Sequence, residues 1–538
     1  MNSANDMNRR NFLWRNLAGL AVATAPDVLS RRADAARLPA SSRPNVLLLM
    51  ADQLRADCLG AAGNHVIRTP NLDRLAREGA RFRNAYSCAP TCTPARAALL
   101  TGLNPWHNGL LGYGRVGERY TTELPRCFSE AGYETMGIGK MHWYPQRDLH
   151  KFQRTILDEA DRVETPGFIS DYHRWFRQRA PGLNPDATGL GWNDYRAWPY
   201  VLPEELHPTH WIGDTAIDFL QRYDGKKPFF LKVSWERPHS PYDPPKRFWD
   251  AYREDEMPRP VFGAWDAVHD IRWKDPRHTI WQGNVGLAQV RRSRRGYYGS
   301  VSFVDEQIGR VLSVLERRGW LENTFILFIS DHGDMLGDHY MWRKSYAYEG
   351  SARIQFIARP PANFHGARGQ VLDQPVGLPD VLPTLAAAAG LPVPPGIDGR
   401  SVLPLLHGET AGWRSCIEVE HDICYSPTNH YNALTDGRIK YIYHALEGDE
   451  QLFDLVNDPD ESRDLAGEPR HRELKAEWRK RLVAQLAERG APFVVNGDLA
   501  PRPEGMLYSP HYPHLAKLPR SDMGTPCPLS YFASSANR

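Results

Sequence analysis

Four short apolar runs in this chain end in side chains that carry a charge or a lone pair. Asp52 and Gln53 follow Val46–Met50. Lys140 and His142 follow Thr135–Ile138. His239 follows Phe229–Ser234, and Asp331 and His332 follow Phe325–Ser330. Open α/β sheets bind ligands beyond the carboxyl ends of their strands, so these positions read as one site. A lone strand-end aspartate is more often a helix cap, but caps do not account for this whole set. Asp52, Gln53, Asp331 and His332 offer hard oxygen donors and one imidazole, which suits Ca²⁺ or Mg²⁺, with Mn²⁺ also accommodated. Without a cation the two carboxylates would repel and raise one pKa. A further stretch, Cys88-Ala89-Pro90-Thr91-Cys92-Thr93-Pro94-Ala95-Arg96, leads into a helical pattern closed by Gly102. Thr93 is the expected N-cap and Pro94 the first helical residue. Cys92 would then stand just ahead of a helix N-terminus, where an anion is favoured, with Arg96 one turn inside and pointing back toward it.

The apolar runs suit strands buried on both faces of a parallel sheet. Helical patterns at Asn71–Glu78, Gly213–Tyr223 and Ser302–Arg318 lie between them. The alternation predicts an α/β fold, a large and mostly parallel sheet with helices on both faces. Near residue 400 the pattern changes. Ala433–Thr435 and Lys440–His444 flank Asp436-Gly437, a hairpin signal. Gln451–Leu455 offers a third strand, and Glu473–Arg489 a helix ended by Gly490. The expected organisation is a signal segment at 1–36, a catalytic α/β domain at 37–405, and a smaller α+β domain with an antiparallel sheet at 406–495. A proline-rich tail at 496–538 would wrap the surface.

Cys92-Thr93-Pro94-Ala95-Arg96 followed by Thr101-Gly102 resembles the type I sulfatase signature, part of the alkaline phosphatase superfamily. Thr69-Pro70-Asn71-Leu72-Asp73, Gly139-Lys140-Met141-His142, Pro238-His239, Ser330-Asp331-His332-Gly333-Asp334 and Lys344 are similar to further family stretches, and the likeness spans about 44–490. The resemblance implies that Cys92 is converted to Cα-formylglycine by a formylglycine-generating enzyme. It implies one divalent cation, usually Ca²⁺, held by Asp52, Gln53, Asp331 and His332. A hydroxyl of the hydrated aldehyde, held by metal, Arg96 and Lys140, would attack sulfur. His239 with Lys344 would protonate or neutralise the leaving alcohol, and His142 would deprotonate the remaining hydroxyl to expel sulfate. Many family members carry Asp where this chain has Gln53, and Asn where it has His332. The Asp-Gln and Asp-His pairs are similar to glycosaminoglycan uronate 2-O-sulfatases, and also to phosphonate monoester hydrolases. The expected function is hydrolysis of a sulfated carbohydrate's sulfate ester. The alternative is a phosphonate monoester or phosphodiester hydrolase on the same scaffold.

The 538 residues hold 66 Lys+Arg and 64 Asp+Glu, a balance that gives no reason to expect a nucleic-acid partner. No apolar stretch reaches membrane-spanning length. Seven cysteines form no disulfide framework. Asn8-Arg9-Arg10-Asn11-Phe12-Leu13 before an apolar stretch, with Ala33-Asp34-Ala35 beyond it, reads as a twin-arginine (Tat) export signal leading to the periplasm or outside. Gly112–Gly117 formally matches a dinucleotide fingerprint, but Pro105, Gly109 and Pro125 deny it the strand and helix it needs; a loop beside the pocket is expected. Arg291–Arg295 is expected to be a solvated turn of helix. Trp106, His107, Tyr144, Gln146, Arg147, Trp192, Arg196 and Tyr242 are candidates for the leaving-group pocket by position.

Overall fold

Val46, Leu48 and Met50 pack on one side of a strand, and Leu47, Leu49 and Ala51 on the other, all fully buried. This is the alternation of a strand covered on both faces. The computed structural model describes residues 43–515, apart from 118, 161, 274–277, 426–428 and 514. The export segment expected at 1–36 lies outside them.

The strand just named is β1 (Asn45–Asp52). The same sheet holds β2 (Ala80–Phe82), β3 (Glu134–Gly139), β4 (Arg154–Leu157), β5 (Phe229–Pro238), β6 (Thr324–Ser330), β7 (Phe356–Arg359) and β8 (Gln370–Leu372). Their order is β4-β3-β5-β1-β6-β7-β2-β8. All pairings are parallel except those of β7 with β6 and β2. Helices α1 (Pro70–Glu78), α3 (Pro208–Arg222) and α4 (Leu287–Arg317) pack on one face, and α2 (Cys92–Thr101) on the other. The mixed, mostly parallel sheet between helices agrees with the sequence.

A second sheet is antiparallel, in the order β9 (Ile417–His421), β10 (Tyr431–Thr435), β11 (Ile439–His444) and β12 (Asp449–Asp454). Gly437 turns the β10–β11 hairpin at φ +82°. Helix α5 (Arg472–Leu486) covers this sheet, and the chain leaves it at Gly490, φ +61°. Tyr86 and Ala352 of the large unit share one apolar cluster with Val419, Ala433 and Ile442 of this sheet.

Three expectations need correction. Helix α4 starts at Leu287, fifteen residues before the pattern at Ser302. Gly296 and Gly299 weaken the helical signal, yet both are needed. A Cβ at Gly296 would lie 2.6 Å from Ala197 Cβ, and one at Gly299 would lie 2.7 Å from Pro244 Cγ. The basic run inside α4 is not a solvated turn. Arg294 is buried, paired with Asp338 Oδ1 at 2.6 Å and donating to Leu336 O. Arg292 lies over the rings of Trp198 and Trp249, and Arg295 over Trp249. The described part of the tail does more than wrap the surface. Leu507, Tyr508 and Tyr512 are buried in the α2-side core, and Ser509 Oγ donates to Trp106 O.

Candidate active site

Helix α2 begins at Cys92 with Thr91 as its N-cap residue, two positions before the expected cap. Pro94 therefore sits in the first turn, where a missing N–H costs nothing. Thr93 caps nothing, and its Oγ1 has no hydrogen-bond partner. The Thr91 hydroxyl is engaged elsewhere, with Ser345 Oγ and His421 Nε2, each at 2.7 Å.

The Cys92 side chain is fully buried. Its sulfur lies 3.1 Å from Lys344 Nζ, 3.2 Å from His332 Nε2 and 3.7 Å from Asp52 Oδ1. Arg96 returns from one turn along α2. Its Nε donates to Asp331 Oδ2 at 2.9 Å, its Nη2 to Asp52 Oδ2 at 3.3 Å, and its Nη1 to Lys140 O at 2.5 Å. Lys140 forms an ion pair with Asp52 Oδ2. Asp331 Oδ1 accepts the N–H groups of Gln53 and His332, both at 3.1 Å. The structure thus brings Asp52, Gln53, Cys92, Arg96, Lys140, Asp331, His332 and Lys344 into one contact network, although these residues are spread over nearly 300 positions.

Three side-chain cations here face two carboxylates, and all are buried. Burial alone would raise the Asp52 pKa, but Lys140, His239, Arg96 and Lys344 outweigh it and hold the carboxyl well below its usual range. Burial and Asp52 push the Cys92 thiol up, while Lys344, Lys140 and His332 pull it lower on balance. The site is therefore tuned for negative charge at position 92.

The donor set fits a divalent cation. Ligand atoms of Asp52, Cys92, Asp331 and His332 lie within 4.8 Å of one another, all buried. His332 Nδ1 is 2.9 Å from Gly333 O. A carbonyl can only accept, so Nδ1 carries a proton and Nε2 is the ring atom that faces the site. Gln53 Nε2 donates to Asp334, and its Oε1 accepts from Lys344 Nζ at 3.1 Å. That assignment explains the glutamine, since an aspartate here would face the Asp334 carboxylate. Gln53 is held at φ +68°. Its N–H goes to Asp331, and its carbonyl accepts from Tyr297 Oη at 2.6 Å. His142, at φ +63°, is fixed by Glu159 Oε1, which accepts the N–H groups of Met141 and His142. Left-handed non-glycine backbone is costly and concentrates at functional sites.

His142 and His239 border the cluster. Burial, then Arg162, Lys140, Arg96 and Lys344, hold His142 well below the usual imidazole range. Its Nδ1 has no partner, and its Nε2 lies 3.4 Å from Tyr113 Oη in the glycine-rich loop. Burial, then Lys344 and Lys140, do the same to His239, whose Nδ1 donates to Ser240 O at 2.8 Å while Nε2 has no partner. Of the pocket candidates, Trp192 stacks on His239 with ring centroids 3.8 Å apart. Tyr242 stands behind the site, donating to Asp334. Trp106 packs on Phe493, His107 pairs with Asp398, Gln146 binds the backbone of 162–165, Arg147 pairs with Asp171 and Arg196 with Asp194. The Tyr144 ring carries the Arg115 guanidinium at 4.2 Å.

Sequence reasoning missed Asp334 as an orienting group and the His421–Thr91–Ser345 chain. Burial, with His332 and His430, pushes His421 down to about 3. The unfolded chain takes up this proton below about pH 6.5, whereas the folded protein does not until about pH 3. The stability contribution is therefore complete above about pH 6.5 and is lost as the pH falls toward 3. His421→Gln is expected to lose about 2 kcal/mol less stability than the parent between pH 7 and pH 5. Urea midpoints at the two pH values check this; equal losses would contradict it.

Residues 44–391 match the family profile described as Sulfatase. Residues 337–488 match the profile of the N-sulphoglucosamine sulphohydrolase C-terminal region. An arylsulfatase of Clostridium perfringens is 39% identical over 464 residues, covering 83% of this chain and 95% of the relative. A choline-sulfatase of Rhizobium meliloti is 32% identical over 449 residues, covering 80% and 84%. The crystal structure of a phosphonate monoester hydrolase from Agrobacterium radiobacter is similar with a TM-score of 0.71 at 26% identity, covering 83% of this chain and 96% of that one. Fold, site and relatives together define a hydrolase of sulfuric esters. The chain belongs to the sulfatase family.

Proposed function

We propose an exported sulfatase that leaves the cytoplasm by the Tat route and removes sulfate from a sulfated carbohydrate. Cys92 is converted to Cα-formylglycine by a formylglycine-generating enzyme, and Asp52, Gln53, Asp331 and His332 hold one divalent cation, Ca²⁺. The observation that carries this reading is the buried Cys92 sulfur at the start of α2, flanked by Lys344 and His332 and backed by Arg96. The bound cation would neutralise sulfate oxygens, and the hydrated aldehyde would supply one hydroxyl for attack and a second for release.

The chain's own side chains account for the rest. Lys140 and Lys344 bring positive charge to where the ester's oxygens must sit, and Arg96 locks both carboxylates in place. His142 stays neutral and has a free ring nitrogen, as a base must. His239 is also neutral in the free protein. Burial first, then Lys344 and Lys140, hold it so; an anionic ester beside it would oppose the two lysines and favour a proton on His239, which with Lys344 faces the leaving oxygen.

The likeness to a phosphonate monoester hydrolase supports a second reading on the same scaffold. The two are separated by kcat/KM for a matched aryl sulfate and aryl phosphonate monoester. The matured protein is expected to favour the sulfate by about 10-fold or more, a difference of about 1.4 kcal/mol in transition-state binding. Faster turnover of the phosphonate would overturn the sulfatase reading in favour of the second.

A further inference from the structure

Trp192 has not been given a role by the metal, the nucleophile or the proton transfers. It sits half-buried in a loop turned by Gly189 at φ +71° and Asn193 at φ +64°. Its ring is stacked on His239 at 3.8 Å between centroids and 24° between planes. Lys140 Nζ lies 4.4 Å from the indole centroid, and Lys344 Nζ 5.9 Å. One indole therefore flanks His239 and Lys344, the two groups assigned to the leaving oxygen, and also Lys140.

His239 Nε2 is buried without a hydrogen-bond partner. A leaving oxygen that takes its proton from His239 or Lys344 must come to the edge of this stack. Whatever carbon skeleton carries that oxygen then lies against the indole. Flat apolar faces gain from such contact, whether they belong to an aromatic ring or to the C–H face of a pyranose, while a branched acyclic chain cannot lie flat.

We infer that Trp192 is a specificity-determining residue, the wall of the leaving-group subsite, which selects sulfate esters of alcohols with a flat apolar face. This rests on the sulfatase reading, and sulfate release by the parent enzyme from any ester secures that reading independently.

The test compares the matured parent with Trp192→Ala and Trp192→Phe on phenyl sulfate, a hexopyranose sulfate and sec-butyl sulfate. Trp192→Ala is expected to lower kcat/KM about 10-fold or more on the flat-faced substrates, mainly through KM, and less than about 3-fold on sec-butyl sulfate. Trp192→Phe is expected to restore most of the loss. Loss confined to the phenyl ester would mark the natural leaving group as aromatic; loss confined to the hexose would mark it as a sugar. An equal loss on all three substrates would mean that the indole only props His239 and the lysines. That result, or no loss at all, overturns the inference. Unchanged far-ultraviolet circular dichroism and an unchanged melting midpoint show that each variant is folded.

Discussion

Cys92→Ala is expected to reduce sulfate release by about 10⁴- to 10⁶-fold, the scale seen when a covalent nucleophile is removed. The fold should survive. The thiol is a small buried group, and its loss leaves a void worth about 1 kcal/mol. Metal binding should survive as well, because Asp52, Gln53, Asp331 and His332 are each held by partners other than Cys92. Sulfate measured by ion chromatography, with circular dichroism as the folding control, checks the result. A folded variant within about 100-fold of the parent would mean that another group attacks the ester.

Arg96→Met is expected to damage stability as well as turnover. The guanidinium is wholly buried and joins Asp52 to Asp331. Its removal leaves the Asp331 Oδ2 atom without that donor, and Asp52 with Lys140 as its ion-pair partner. Removing one member of a buried ion pair typically costs about 3–5 kcal/mol. The loss should be largest in a chelator. A divalent cation held by the folded state would neutralise the same carboxylates, so adding it should recover part of the stability. Turnover should fall by about 10³-fold, as when a preorganised positive group is lost from a transition state. Denaturation midpoints with and without Ca²⁺ test this. A cost below about 1 kcal/mol in chelator would show that the carboxylates do not depend on Arg96.

Much of the site was legible because strands buried on both faces read as continuous apolar runs, so the polar residues that end them stand out. Asp52, Lys140, His239 and Asp331 were placed that way, and helix α2 was found through Pro94 and Gly102. Its start was misplaced because Thr93 has the chemistry of a cap, whereas the structure uses the backbone of Thr91 and commits the Thr91 hydroxyl to His421. That bond joins residues 330 positions apart, and local pattern carries no information about it. The same holds for Gln53 with Asp334 and Trp192 with His239. Helix α4 was half hidden. Its glycines are there for close approach to the 197 and 244 segments, and its arginines face buried carbonyls and carboxylates that no periodicity reveals. Strand β9 gives no strand signal in the sequence, because its residues Glu418 and Glu420 pair with buried Arg489. Alternating acids look solvent-facing until their partner is known.

Hydrolysis through a converted Cys92 is the step on which the other expectations depend. The most direct measurement is free sulfate released from an aryl sulfate, taken across preparations with different extents of conversion. Conversion is read from the mass of the peptide carrying position 92. The release rate is expected to be proportional to the aldehyde fraction and close to zero when Cys92 remains a thiol. Release that is independent of conversion, or no sulfate from fully converted protein, would contradict it.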